Sequence, residues 1–596
     1  MRLSMEGVDS NMGFAESDKK KTAASGERVL LIGWDGADWG VIDPLMDDGK
    51  MPNLARFVEE GVMGNLATLR PDLSPMLWTS IATGKRPFKH GIYGFVEPDP
   101  HRGGIRPITN LSRKTKAIWN ILSQTGMKCN IVGWWPSHPA EPINGVMVSN
   151  HYPRAVGPAD KPWPVPWGTV HPERLIRNLA ELRWHPQRLD PAHILPFVPR
   201  APEIDPQKDR RLQTIARIYC ECLSVQVAAL ALMHHEPWNF TAVYFDGIDH
   251  FCHGFMRYHP PKEDWVAEKD FELYMHVVSA GYQLHDSMLG ALLDQAGRDA
   301  TVILVSDHGF QSGHLRPRYL PREPAGPAAQ HRHYGILAMK GKGIRKDERI
   351  YGASLLDICP TILTVLGLPV GGDMDGKPLV TAFDEQPGPG SVASWDEVPG
   401  PSGMHPRDTR MDPAEAKEAI RQLVDLGYIE EPDADRERAA CNSARELDYN
   451  LARAYMDAGR HADAASILRR LFETWPEYHR FGVQLATCFQ TLRRLKDSKR
   501  VLDELLGRKE KGAAEALCKL KLFERKHREK KPEDFSDSET REFHELRAQA
   551  SRNPFAVEYL MGAQHFAEGD DAEALRHFKK AESAESGRTE PGETRL

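Results

Sequence analysis

Aspartate residues stand at the ends of three short apolar runs, where their carboxylates could bind divalent cations. Asp35 follows the first run after Gly-Trp, Asp246 follows the second directly, and Asp307 follows the third after one serine. The runs span 29–32, 241–245 and 302–305. In an open α/β sheet the functional crevice lies beyond the carboxyl ends of the strands, so the three carboxylates can converge on one site.

Histidines accompany two of these aspartates. His250 lies four residues after Asp246, so one helical turn would bring both side chains to the same ion. His308 directly follows Asp307. A mixture of carboxylate and imidazole suits zinc or manganese better than magnesium, and so many ligands favour two ions. An Asp-Gly pair after a strand is commonly only a turn, but carboxylates gathered at one edge would repel one another unless cations offset their charge.

The apolar runs must position these residues. They show no polar alternation and have helical segments between them, as buried strands of a mainly parallel sheet do. We therefore predict an α/β fold whose mainly parallel sheet is sandwiched by helices. The region 96–236 is long and contains a stretch rich in Pro and Trp, 152–206. We interpret it as the remaining sheet elements plus a cap insertion near the site.

Composition shifts divide the chain into predicted parts. Residues 1–27 are polar and lack the apolar core of a secretory signal, which predicts a disordered leader. The α/β domain spans 28–385, and a segment rich in Gly, Pro and Ser at 386–410 is a predicted linker. An all-α domain is predicted over 411–596.

Two segments of the C-terminal part repeat at a spacing of 34 residues. The first carries small, aromatic and helix-ending residues at Ala452, Tyr455, Gly459, Ala464, Leu468, Leu471 and Pro476. The second carries Ala486, Phe489, Ser498, Leu502 and Leu505, with Arg493 in place of the glycine. The pattern resembles tetratricopeptide repeats, whose helix pairs stack to bury their apolar faces; the alternative is a generic helical bundle. Such a domain would offer a groove for a protein or peptide partner.

Bulk properties exclude several classes of partner. A net charge of −7 over 596 residues provides no basic field for nucleic acid. No window reaches the roughly 18 consecutive apolar residues that a membrane helix needs, so we predict no membrane span. Eight cysteines without a paired framework favour a reducing, cytoplasmic setting.

Motifs in a fixed order identify a family. They are Leu-Leu-Ile-Gly-Trp-Asp-Gly at 30–36, Met-Pro-Asn-Leu at 51–54, Ser-Pro at 74–75, Ala-Thr-Gly at 82–84, Lys-His-Gly-Ile at 89–92 and Ser-Asp-His-Gly at 306–309. Together they resemble the alkaline phosphatase superfamily, and within it the type I phosphodiesterase/nucleotide pyrophosphatase branch. The resemblance extends over about Arg28 to Leu379 and implies an alkaline-phosphatase-like catalytic domain at 28–385.

The resemblance implies roles for individual residues. The residues that match one ion's ligands are Asp35, Ser74, Asp307 and His308. Those that match the other ion's ligands are Asp246, His250 and His331. His331 is preferred because it stands four residues before Gly335, with His333 as the alternative. Ser74 matches the nucleophile position, with Thr79 as its competitor. Flanking residues assigned orienting or structural roles are Asp38, His90, Asp249 and His253.

The implied activity is that of a metal-dependent phosphohydrolase, a phosphodiesterase or phosphatase acting on a small-molecule phosphate ester. The serine would be the nucleophile between two divalent ions, zinc or alternatively manganese. After Ser74 the nucleotide pyrophosphatases have Phe-Pro-Asn, whereas this chain has Pro75-Met76-Leu77 and lacks that amide donor. It also lacks the arginine of the sulfatase motif. Alternatives are a phospho- or phosphonate-group transferase on the same site, or a repeat-based scaffold with a vestigial catalytic domain.

Overall fold

The computed structural model forms two compact units, one ending at Leu447 and one beginning at Asp448. Almost all of the predicted leader, residues 1–26, lies outside the described part of the chain. The other residues outside the description are 155–157, 162, 319, 321–323, 407–408, 411–412, 426–427, 430, 529, 531–534, 536–538, 540–541, 544–545, 548–549, 551–554 and 586–596.

Strands and helices alternate through most of the first unit. Within the described residues the strands are β1 (Arg28–Trp34), β2 (Val62–Ala67), β3 (Val96–Pro98), β4 (Ile105–Pro107), β5 (Cys129–Val132), β6 (Gly145–Val148), β7 (Val170–His171), β8 (Phe240–Phe245), β9 (Ala300–Val305), β10 (Gly309–Phe310), β11 (His331–Arg332), β12 (Tyr334–Lys340), β13 (Glu348–Ser354), β14 (Val370–Gly371) and β15 (Ser391–Val392). The helices that begin in this unit are α1 (Trp39–Asp47), α2 (Pro52–Glu59), α3 (Ser74–Thr83), α4 (Pro87–His90), α5 (Ile118–Gln124), α6 (Ile176–Glu181), α7 (Arg211–His235), α8 (Gly247–Phe255), α9 (Glu268–Tyr274), α10 (Val277–Ala296), α11 (Ile358–Val365), α12 (Pro413–Asp425) and α13 (Arg436–Asp457).

A nine-stranded sheet in the order β13-β2-β12-β9-β1-β8-β5-β6-β7 forms the centre of the first unit. β1 pairs in parallel with both β8 and β9, so the three apolar runs of the sequence are adjacent strands. β12 runs antiparallel to β2 and β9, and β7 runs antiparallel to β6. The sheet is therefore mainly parallel, which confirms the predicted fold class.

The sheet is buried on both faces. Along β1, Leu30 and Ile32 point into one apolar core and Val29 and Leu31 into the other. The first core includes side chains of α7, α8 and α10, and the second includes side chains of α3, α5 and α11. Burial on both faces explains why these strands appear in the sequence as continuous apolar runs.

The region 96–236 contains both kinds of structure that the sequence suggested. β5, β6 and β7 extend the sheet at one edge, and the Pro- and Trp-rich stretch carries short helical turns at 173–175, 186–188, 191–193 and 201–203. α7 is long and apolar enough in composition to cross a membrane, but 78% of its most apolar window is buried inside the structure. The predicted absence of a membrane span stays a prediction.

Residues of the predicted linker pack against the first unit. The Trp395 side chain belongs to one of its apolar cores, and the Lys85 ammonium donates to Asp396 at 2.6 Å. α12 also lies within the first unit. The predicted domain limits at 385 and 411 stay predictions, and the break in contacts along the chain falls between 447 and 448.

The second unit is helical, which confirms the predicted all-α character of the C-terminal region. Its helices, after the end of α13, are α14 (His461–Thr474), α15 (His479–Thr491), α16 (Leu495–Lys526), α17 (Phe555–Glu568) and α18 (Asp571–Glu585). Gly459 precedes α14 with a φ of 72°, and Arg493, 34 residues later, precedes α16 with a φ of 57°. The non-glycine residue thus keeps the turn conformation of the glycine it replaces. The tetratricopeptide identity of these helices stays a prediction.

Candidate metal centre

Asp35 lies at the carboxyl end of β1 and is held by two hydrogen bonds to one of its oxygens. Asp35 Oδ2 accepts from Trp78 Nε1 at 3.0 Å and from the Tyr244 hydroxyl at 2.6 Å. Its other oxygen, Oδ1, has no hydrogen-bond partner within the described residues and lies 3.2 Å from His308 Nε2. One carboxylate oxygen is therefore fixed by the protein while the other faces the cluster.

Asp307 and His308 follow β9 and are fully buried. Neither Asp307 oxygen has a hydrogen-bond partner among the residues described, and Oδ2 lies 3.7 Å from His308 Nε2. His308 Nδ1 lies 3.0 Å from the Gly309 carbonyl, so it carries the proton that this contact needs. The other ring nitrogen, Nε2, faces the carboxylates of Asp35 and Asp307.

A second group joins the first through Asp249 on α8. Asp249 Oδ1 lies 3.2 Å from His253 Nε2 and 3.7 Å from His331 Nε2. The two imidazole Nε2 atoms are 3.1 Å apart. Two such nitrogens can approach this closely when one carries a proton or when both face a cation. The His331 ring also stacks on His308, with centroids 3.6 Å apart, so the two groups are neighbours.

The pKa values of these groups reflect burial and mutual charge. Burial and the Asp35 carboxylate raise the pKa of Asp307 well above its usual range. Burial acts to lower the pKa of His308, but the nearby carboxylates outweigh it and raise that pKa well above 6.5. For His331, burial and the charges of His308 and His253 lower the pKa well below the ordinary value. The buried carboxylates repel one another, and so do the imidazoles when they are charged. A cation bound between them would balance the negative charge of the carboxylates.

The residues predicted as the second ion's ligands are placed differently from one another. His331 is buried within the cluster, whereas the alternative His333 is exposed. Asp246 and His250 do lie near each other, with Asp246 Oδ1 3.9 Å from His250 Nδ1. The Asp246 side chain, however, is 41% exposed. Sets of at least three ligand atoms that lie within 4.8 Å of one another occur, in the described chain, at Asp249-His253-His331 and at Asp35-Asp249-His308.

Ser74 is the first residue of α3 and is buried. The residues around it point α3 at the cluster: Trp78, one turn later, donates to Asp35, and the Asp72 carbonyl lies 3.3 Å from His331 Nδ1. The Thr79 hydroxyl is engaged elsewhere, since it donates to the Pro75 carbonyl at 2.7 Å. A helix N-terminus at this place favours a bound anion, because the positive end of the helix dipole lies there.

Asp38, one of the residues that the sequence marked as flanking, links two loops around the cluster. The Asp38 carboxylate accepts from Gly40 N at 2.6 Å, from Phe310 N at 3.1 Å and from Arg332 Nη1 at 2.8 Å. These bonds link the loop after β1 to the β10–β11 hairpin that carries His331. The predicted orienting role of Asp38 stays a prediction.

Sequence reasoning missed two features of this site. Asp249 and His253 have the same four-residue spacing as Asp246 and His250, so spacing alone could not choose between the pairs. Tyr428, from the segment after α12, donates its hydroxyl to Asp249 Oδ2 at 2.6 Å. No motif or periodicity in the sequence marks that tyrosine.

The donor set fits a divalent cation. Buried atoms without hydrogen-bond partners, in the part of the chain described, include Asp35 Oδ1, Asp249 Oδ1, both oxygens of Asp307 and His308 Nε2. Buried polar atoms are ordinarily paired, so such a concentration needs an explanation. Carboxylate oxygens and imidazole nitrogens together are the ligands of zinc and manganese sites.

Solved structures with a related fold cover about 60% of the chain. A 2-O GAG sulfatase is 12% identical, with 61% of this chain and 75% of that chain covered and a TM-score of 0.37. Human ectonucleotide pyrophosphatase/phosphodiesterase 5 is 12% identical, with 60% and 100% covered and a TM-score of 0.35. A mutant of the alkaline phosphatase PafA is 12% identical, with 59% and 98% covered and a TM-score of 0.36. No curated protein sequence matches the chain.

The family model described as type I phosphodiesterase / nucleotide pyrophosphatase matches residues 29–324. The matched region begins at β1, contains Ser74 and ends after His308. It therefore holds the sheet centre and most of the cluster. Residues 29–324 are therefore similar to the type I phosphodiesterase / nucleotide pyrophosphatase family.

Proposed function

We propose that the first unit is a metal-dependent phosphodiesterase or phosphatase that acts through Ser74 and two divalent ions on a small-molecule phosphate ester. One observation carries the proposal: buried carboxylate and imidazole atoms without partners converge beside the N-terminus of the helix that begins at Ser74. Zinc is the metal that the donor set favours, with manganese as the alternative. A protein partner for the second unit and a cytoplasmic location stay predictions from the sequence.

The ligands of the first ion are proposed to be Asp35, Asp307 and His308, with the Ser74 hydroxyl beside them. For the second ion, the geometry favours Asp249, His253 and His331. The originally predicted Asp246 and His250 are the competing pair. The contact between Asp246 and His250 is longer, and the Asp246 side chain is partly exposed to solvent.

Bound ions would act as Lewis acids that favour the serine alkoxide and offset charge on the phosphoryl oxygens. Ser74 Oγ attacks phosphorus, its proton passes to water, and the bond from phosphorus to the leaving oxygen breaks, with the leaving oxygen taking up a proton from water. The N-terminus of the ten-residue α3 stabilises the anionic phosphoryl group during this step. Water then attacks the phosphoserine, which releases phosphate, or a phosphomonoester from a diester substrate without loss of its second group, and restores the hydroxyl.

The decisive experiment compares Ser74→Ala with Thr79→Val, two removals of a buried hydroxyl from the same helix. Metal content is measured by elemental analysis. Turnover is measured with bis-p-nitrophenyl phosphate as the diester substrate and p-nitrophenyl phosphate as the monoester substrate. We expect about two ions per chain in all three proteins and a rate loss on the order of 10³-fold or more in Ser74→Ala alone. Equal losses in both variants, or full activity of Ser74→Ala, would contradict the proposed nucleophile.

The two candidate ligand pairs are separated by Asp249→Asn and Asp246→Asn. Each substitution removes one negative charge from α8 or from the residue before it, and the two are three positions apart. We expect Asp249→Asn to lose one ion per chain and Asp246→Asn to keep both. The reverse result would restore Asp246 and His250 as the ligands.

A further inference from the structure

Tyr428 reaches the metal centre from far along the chain. It lies beyond the end of the family match and beyond the predicted catalytic limit at 385. Its side chain is only 6% exposed, although it belongs to the short connection between α12 and α13. The contacts of this buried tyrosine include residues of the candidate metal centre.

The two oxygens of the Asp249 carboxylate have different surroundings, because only one of them binds the Tyr428 hydroxyl. It donates to Oδ2 at 2.6 Å, a short distance of the kind found when the acceptor is charged. The other oxygen, Oδ1, has no hydrogen-bond partner in the described part of the chain and faces the imidazoles of His253 and His331. The phenol thereby fixes the rotation of the carboxylate and leaves Oδ1 directed at the histidines.

The aromatic ring of Tyr428 is held as firmly as its hydroxyl. It stacks on Phe95 with centroids 4.8 Å apart and an interplanar angle of 17°. Trp135 lies 6.2 Å away, and the His253 ring meets it edge-on at 6.0 Å. Because the hydroxyl is attached to a rigid ring, stacking that fixes the ring also fixes the direction of the hydroxyl.

We propose that Tyr428 is a positioning residue of the metal centre: its hydroxyl orients the Asp249 carboxylate by binding Oδ2, so that Oδ1 is directed toward the ion shared with His253 and His331. The inference rests on the proposed function, since it presumes a metal at that group. It adds a member to the site that the family match does not include. Partners that orient a ligand typically change metal affinity by about 10- to 100-fold when removed.

The test uses the full-length protein and removes the hydroxyl alone, with Tyr428→Phe. Tyr274→Phe is the matched control, because the Tyr274 hydroxyl donates to the Asp209 carboxylate at 2.7 Å and Tyr274 is also buried. Zinc dissociation constants are measured by competition with a chromophoric chelator, and thermal unfolding is followed in parallel. We expect Tyr428→Phe to weaken the binding of one of two zinc ions about 10-fold, and Tyr274→Phe to leave both constants unchanged.

The outcomes separate this inference from the proposed function. A wild-type protein that binds neither zinc nor manganese overturns both. Two ions in the wild type with the same constants in Tyr428→Phe overturn the positioning role alone. Faster turnover of Tyr428→Phe with unchanged zinc binding also overturns it, because the tyrosine would then obstruct the site. A loss confined to stability, equal in both variants, likewise assigns Tyr428 to packing.

Discussion

A neutral, buried His90 makes the stability of the first unit depend on pH. His90 Nδ1 accepts from Ile92 N at 3.2 Å, so the ring proton is on Nε2, which lies 3.0 Å from Ser80 Oγ on α3. Burial and the charge of Arg113 lower the pKa of His90 to about 3. The contact joins α3, the helix of Ser74, to the end of α4.

The sign and size of the effect follow from that pKa. Between pH 6.5 and about 3 the unfolded chain binds a proton at His90 and the folded chain does not. Stability is therefore full above pH 6.5 and is lost as the pH falls. Between pH 7 and pH 5 the loss from this residue is about 2 kcal/mol.

The assay is urea unfolding at pH 7 and pH 5, followed by tryptophan fluorescence. Of the 13 tryptophans only Trp475 lies in the second unit, so the signal reports the first. His90→Gln removes the titrating group, and its own cost cancels because each protein is compared with itself. We expect the wild type to lose about 2 kcal/mol more than the variant between the two pH values. Equal losses, or an NMR titration of His90 near pH 6.5 in the folded protein, would refute the reasoning.

Two further substitutions test the packing around the site. Glu141→Gln leaves the buried Arg113 guanidinium without its 2.8 Å carboxylate partner and should lower the unfolding free energy by about 3–5 kcal/mol. Urea unfolding checks this, and a change below about 1 kcal/mol, the upper value for an exposed ion pair, would contradict it. Gly247→Ala places a Cβ against Cys222 Sγ and should cost about 1–3 kcal/mol. Gly254→Ala, on the same helix with open space around it, should instead stabilise by about 0.5–1 kcal/mol.

The strands that position the site could be predicted, because their burial on both faces leaves a recognisable pattern in the sequence. The run at 241–245 is strand Phe240–Phe245, and the run at 302–305 is strand Ala300–Val305. Strands covered on both faces are continuous apolar runs, and a parallel arrangement puts the residues that follow them at one edge. Asp35 and Asp307 therefore meet as expected.

The choice of ligands on α8 could not be predicted, for a physical reason. Both Asp246-His250 and Asp249-His253 have helical spacing, and only the packing of the helix decides which pair faces inward. Gly36, at a φ of 72°, allows the close approach of Asp249, whose Cα would lie 3.1 Å from a side-chain carbon added there. That contact joins residues more than 200 positions apart, beyond the reach of any local pattern.

Local sequence patterns also could not predict how far along the chain the residues of the candidate site extend. The family match ends at 324, before His331, and the motifs by which the sequence resembles that family end at 309. Yet His331 Nε2 lies 3.1 Å from His253 Nε2, and Tyr428 binds Asp249. Motifs mark the residues on which the chemistry depends most directly. The residues that orient them can come from any segment that folds back onto the sheet, so the physical unit extends further along the chain than the motifs do.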